Sequence, residues 1–112
     1  MKITIIGSRN LVVNDLQRFL PEETDEIVSG GAKGIDSCAR EYAKSNSIKL
    51  TEFLPKYNEF GRAAPIKRKD EIIDYADMVI AFWDGKSRGT KYVIDTCRKN
   101  GKKIKIFLSV PR

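Results

Sequence analysis

Three short segments hold most of the residues in this chain that could do chemistry. They are Gly7-Ser8-Arg9-Asn10, Ser29-Gly30-Gly31-Ala32-Lys33-Gly34-Ile35-Asp36 and Trp83-Asp84-Gly85-Lys86-Ser87-Arg88-Gly89-Thr90. Each follows an apolar run, and the last two lead directly into a helical pattern. Glycines so placed let a ligand come close to the backbone, and the unpaired N–H groups of a first helical turn point at it. The helix dipole there favours negative charge, so phosphate is the expected guest. Hydroxyls of Ser29, Ser87 and Thr90 add donors, and Arg9 or Arg88 supplies countercharge. Trp83, at a strand end, is positioned either to stack a base or to plug the edge of the core.

Several chemistries are excluded at once. The chain has no histidine, and its two cysteines, Cys38 and Cys97, are far apart without a CxxC pair. Zinc sites of the usual Cys/His kinds and catalytic triads built on imidazole are therefore absent, and no metal is expected. Both cysteines fall on apolar helix faces and read as small buried hydrophobes. The second segment reads GGAKG, which is neither GxGxxG nor a GK[ST] phosphate loop, so ordinary dinucleotide dehydrogenases and P-loop NTPases are disfavoured. Asp36 and Asp84 are the carboxylates near these segments, and only weak candidates for acid–base work.

The elements that must position these segments alternate along the whole chain. Strand-type runs occur at Lys2–Ile6, Glu26–Val28, Lys49–Phe53, Met78–Phe82 and Lys103–Leu108, rich in Ile, Val and Phe as doubly buried strands are. A first helix is expected after Asn14, with Leu16, Phe19 and Leu20 as its stripe and Pro21 as its end. Ile35, Cys38, Ala39, Tyr42 and Ala43 give the clearest helical periodicity. A third helix runs from about Ala64 to Ala76, and a fourth shows Thr90, Val93, Ile94 and Cys97 before an Asn100-Gly101 stop. This pattern predicts a single domain over residues 1–112. Its class is α/β: a Rossmann-like open parallel sheet of about five strands with helices on both faces. Ligands of such sheets bind beyond the carboxyl ends of the strands. No apolar run approaches a membrane span of roughly 20 residues, and the chain enters a strand at once, so the cytosol is the expected address.

GSR after the first strand, SGGAKGID into the second helix and ADMVIAFWDGKSRGT into the fourth resemble the SLOG superfamily. That group takes its name from the Smf/DprA proteins and the Lonely-guy phosphoribohydrolases. The resemblance covers nearly the whole chain and is strongest to the small single-domain bacterial and phage members, the YspA or cpYpsA-related family. It implies a Rossmann-like domain that holds a nucleotide or nucleotide-derived ligand. By position, Gly7, Ser8 and Arg9 would form one lip; Gly30, Gly31, Gly34 and Asp36 a second; Asp84, Gly85, Ser87, Gly89 and Thr90 the phosphate-side lip. Relatives often carry Arg-Asn in the third helix where this chain has Arg68-Lys69, so Arg68 matches and Lys69 departs. The resemblance also implies pairing as a homodimer.

Three functions follow from these residues. The first is a sensor or binding module for a nucleotide-derived ligand. The second is an N-glycosidic hydrolase or deoxyribosyltransferase acting on nucleosides or nucleotides. It is disfavoured because Lys91-Tyr92-Val93 stands where the Lonely-guy enzymes have a glutamate after their Gly-Thr. The third is single-stranded nucleic-acid binding in the DprA manner. Net charge is +6, and Lys and Arg outnumber Asp and Glu thirteen to seven from residue 57 onward, against eight to eight before it. That excess points to an anionic partner, yet the aromatics form no stacking platform. Single-stranded oligonucleotides should therefore bind weakly, with Kd of roughly 10⁻⁴ to 10⁻⁶ M, and weaken steeply with salt. Anisotropy titrations at low and physiological salt check this.

Overall fold

Alternation of side chains along the strands decides the architecture. In β1 (Lys2–Gly7), Ile3 and Ile5 enter one core, while Ile6 enters a second core on the opposite face. In β4 (Met78–Trp83), Met78, Ile80 and Phe82 join the first, and Val79 and Ala81 the second. Strands apolar on both sides need cover on both sides, and parallel pairing with helical crossovers supplies it. With β2 (Glu26–Ser29), β3 (Lys49–Glu52) and β5 (Ile104–Leu108), they form one all-parallel sheet in the order β3-β2-β1-β4-β5. The computed structural model describes residues 1–31 and 33–108; Ala32, inside the second glycine segment, lies outside the described residues.

Helix α1 (Ile35–Ser45) covers the first face through Ile35, Ala39 and Ala43. A single turn, α2 (Tyr57–Phe60), precedes α3 (Ala64–Tyr75), which packs on the second face beside α4 (Arg88–Asn100). The Rossmann-like α/β expectation holds, with five parallel strands and helices on both faces. The α4 reading also holds in detail. Thr90, Val93, Ile94 and Cys97 are its buried residues, and Gly101 closes it in the left-handed conformation at φ +71°. Burial pushes the Cys97 thiol up to about 11, while Cys38 is half-buried.

Two expectations need correcting. The segment after Asn14 is no α-helix but a 3-10 turn at Leu16–Phe19, whose N-cap position is Asp15 without a capping side chain. Too few residues separate Asn14 from Pro21 to repay helix nucleation. A 3-10 turn still stacks i with i+3, which buries Leu16 and sets Phe19 against Phe82 and Phe107, with ring centroids 5.1 and 4.8 Å away. Nor are all strands doubly buried. β3 and β5 are edge strands with exposed Lys49, Glu52, Lys105 and Leu108. The turn α2 was not legible as a helix at all.

The amino edge of the sheet is tied by one carboxylate. Buried Glu26 accepts hydrogen bonds from Tyr75 Oη of α3 and from Thr51 Oγ1 of β3 at 2.8 Å, with Lys49 Nζ at 3.5 Å. Burial pushes the Glu26 carboxyl up, but the bonds from Tyr75 and Thr51 outweigh it and hold it below its ordinary value. Its contribution to stability is thus complete above the unfolded carboxylate value of about 4.3 and is lost as pH falls through the lower folded value. Unfolding midpoints in urea should fall with pH below about 4.3 more steeply for the wild type than for Glu26→Gln.

Candidate functional site

Strand order reverses between β1 and β4: from β1 the sheet runs on to β2 and β3, from β4 to β5. Two crossovers leave in opposite directions there, and the gap between them at the carboxyl edge is where such sheets hold ligands. A cavity of about 480 Å³ opens at that point. Its floor is apolar, formed by buried Ile6, Ile72 and Val93. A larger hollow of about 850 Å³ lies elsewhere, between residues 13–18 and α1, where Asp15 and Arg18 pair with each other.

The loop after β1 forms the first wall, with Gly7, Ser8, Arg9 and Asn10. It can lie there because two glycines yield space. A Cβ on Gly7 would come within 2.5 Å of Ile35 Cγ1 and 2.6 Å of the Phe82 carbonyl oxygen. Gly34, at φ +71°, precedes α1 with its Cα against the Arg9 backbone, where a Cβ would fall 2.5 Å from the Arg9 carbonyl oxygen. Ser8 then joins the walls: its N–H donates to Phe82 O at 3.1 Å, and its Oγ accepts from Asp84 N at 3.2 Å.

Gly30 and Asp36 form the second wall. Arg68 crosses from α3 and donates from Nη1 to Gly30 O at 2.8 Å. A Cβ on Gly30 would meet Asp36 Oδ2 at 3.2 Å and Arg68 Cζ at 3.3 Å, so guanidinium and carboxylate converge over that glycine. Arg68 Nε is buried and is the only such side-chain atom without a hydrogen-bond partner among the described residues.

The third wall is Asp84, Ser87, Gly89 and Thr90. Asp84 Oδ1 accepts from Lys86 N and Ser87 N, both at 2.8 Å. Those two backbone donors hold the Asp84 carboxyl below its ordinary value. Trp83 Nε1 donates to Ser87 O at 3.0 Å, and Ser87 Oγ caps α4 by accepting from Thr90 N at 3.4 Å. Gly89, in the first turn of α4, faces a lysine: a Cβ there would be 3.5 Å from Lys69 Nζ.

The residues expected from sequence therefore divide. Gly7, Ser8, Arg9, Gly30, Asp36, Arg68, Asp84, Ser87, Gly89 and Thr90 line one cavity. Ser29, Gly31, Gly34, Trp83 and Gly85 are not among its lining residues. Ser29 Oγ accepts from Gly31 N at 3.2 Å, and Gly31, at φ +73°, lies against Leu54. Gly85 takes φ +82° in the turn before α4. Trp83 packs against the second core, and its Nε1 bond to Ser87 O braces the third wall.

Sequence reasoning missed Lys69 and Asn10 as lining residues. The signal for Lys69 was present: Arg68 and Lys69 stand four and three residues before Ile72, at the seam of the apolar stripe of α3. Lys69 is half-buried and makes no ion pair among the described residues. Burial and then the charges of Arg68 and Arg9 push its amine down, opposed by Asp36. Searches of protein-family models, of curated proteins and of solved structures returned no match to this chain.

Ser87→Ala removes the α4 cap and one cavity hydroxyl, and should lower stability by about 1 kcal/mol. Urea unfolding with an unchanged slope is the readout.

Proposed function

We propose that this chain binds a nucleotide or nucleotide-derived, phosphate-bearing molecule in the cavity between β1 and β4, and acts as a sensor or binding module. One observation carries the reading. Arg9 from the loop after β1 and Arg68 and Lys69 from α3 line one cavity that also receives the first turn of α4. Three cations face two carboxylates there, Asp36 and Asp84, and the net positive wall favours an anionic guest. The floor of Ile6, Ile72 and Val93 gives an apolar part of the ligand a surface to cover. A nucleotide combines both features.

Carboxylate chemistry supports binding over turnover. A general acid for N-glycosidic cleavage needs a raised pKa. Asp84 moves the other way, with one oxygen already accepting two backbone bonds. Asp36 is the other carboxylate of the cavity, and it sits against Arg68.

ATP, NAD or ADP-ribose at about a hundred times its Kd should raise the melting temperature by on the order of 10 °C. Nucleoside monophosphates should release no free base above the protein-free control. Unmoved melting curves with every phosphate-bearing compound at millimolar concentration would remove the reading. Rapid base release that disappears in Asp36→Asn would replace it with the hydrolase.

A further inference from the structure

Lys69 is the one lysine among the residues that line the cavity, and its surroundings suit a nucleophile. It stands on α3 just before buried Ile72, which lines the cavity with it. Its end lies along the first turn of α4, where Gly89 leaves it room: a Cβ there would be 3.3 Å from Cε and 3.5 Å from Nζ. The side chain is half-buried and makes no ion pair among the described residues. Lys49, Lys56 and Lys91, by contrast, pair with carboxylates, and Lys102 donates to the Ala76 carbonyl at 2.6 Å. The charged groups that share the cavity with Lys69 are Arg68 on its own helix, Arg9 from the loop after β1, Asp36 of α1 and Asp84 before α4. Burial, Arg68 and Arg9 push its amine down, and Asp36 opposes them. A lysine partly desolvated beside other cations is the kind that attacks carbonyl groups.

Going beyond the binding function above, we propose that Lys69 forms a reversible imine with a small aldehyde or ketone that carries an anionic group and enters this cavity. The lone pair of the neutral Nζ attacks the carbonyl carbon, and the C=O π electrons move to oxygen, giving a carbinolamine. A C–N bond has then formed. The C–O bond breaks next, and both hydrogens of the neutral amine leave with the oxygen as one water. The C=N product takes a proton from solvent and becomes a cationic iminium, and addition of water reverses the sequence. No oxidant or reductant is consumed. The anionic group follows from the charges around the amine. With Lys69 neutral, two guanidiniums face two carboxylates, Asp36 and Asp84. The iminium adds a positive charge to that balance, and an anionic group on the same molecule is its counterion. A cavity of about 480 Å³ has room for such a molecule, and holding it beside Nζ makes the attack effectively intramolecular.

The test is reductive trapping on the whole chain at neutral pH. Glyoxylate, glyceraldehyde 3-phosphate and uncharged glyceraldehyde are each supplied with cyanoborohydride, whose hydride turns an iminium into a stable secondary amine. Peptide mapping by mass spectrometry then locates the label. With at least one anionic probe, Lys69 should take more label than all other lysines together, at a rate that saturates with probe concentration. Glyceraldehyde should spread over exposed lysines without saturating. Labelling by glyoxylate alone identifies the anionic group as a carboxylate, and by the phosphate alone as a phosphate. Folded Lys69→Arg keeps the charge without the nucleophile and should lose the saturating phase. Should that variant not fold, the distribution of label in the wild type decides the matter alone. Three results overturn the proposal: label spread evenly over the lysines with both anionic probes, equal labelling of Lys69 by glyceraldehyde and its phosphate, or a saturating phase that survives in folded Lys69→Arg. Nucleotide binding is read separately, from the melting temperature, and stands or falls on its own.

Discussion

Everything at the carboxyl edge depends on a backbone contact that tolerates no side chain. The strand β1 ends at Gly7 against Ile35, and the chain then runs along Gly34, so that the Arg9 carbonyl touches the entrance to α1. A methyl group at either glycine would meet atoms nearer than 3 Å, most of them backbone or tightly buried carbon. Close approach here brings Ser8 within reach of Asp84 N and so couples the loops after β1 and β4. The cavity is the space those coupled loops leave at the point where strand order reverses. Packing fixes the geometry, and the charged residues are then held at its rim.

That order explains what could be read in the sequence. Doubly apolar strands and a clean stripe such as Thr90, Val93, Ile94 and Cys97 are governed by periodicity, so the parallel sheet and α4 were legible. The segment around Leu16 was misread because three apolar residues fit a helix and a 3-10 turn equally, and only the space under Phe82 and Phe107 decides between them. The glycine loops announced the site through residue type. Their sorting into cavity wall and hidden support was not legible, since the same residue type serves as Gly30 beside Arg68 and as Gly31 at φ +73° against Leu54. Lys69 was hidden for a related reason. A run of Lys67, Arg68 and Lys69 looks like a solvated helix face until the rotation of α3 turns two of the three inward.

Polar order in the cavity wall is largely internal: atoms that shape the loops are satisfied by the protein. Asp84, Ser87 and Trp83 hold one another and the start of α4. Arg68 is divided, with Nη1 fixed to Gly30 O and Nε buried without a partner. Bonds of this kind hold the cavity wall in one shape.

The edge strand β5 gives part of the positive charge a meaning unrelated to any ligand. Among the described residues it pairs only with β4, which leaves its outer row of N–H and C=O groups unpaired in the sheet. An open parallel edge is a template on which another copy can add strands without limit. Lys105 stands exposed in the middle of that strand, and Lys103 just before it. Two such edges brought together would oppose ammonium to ammonium, a common safeguard against edge-to-edge aggregation. At the opposite edge Lys49 is likewise exposed on β3. A share of the surplus lysines therefore guards the sheet edges, and replacing them would remove the barrier that keeps one sheet from growing into the next.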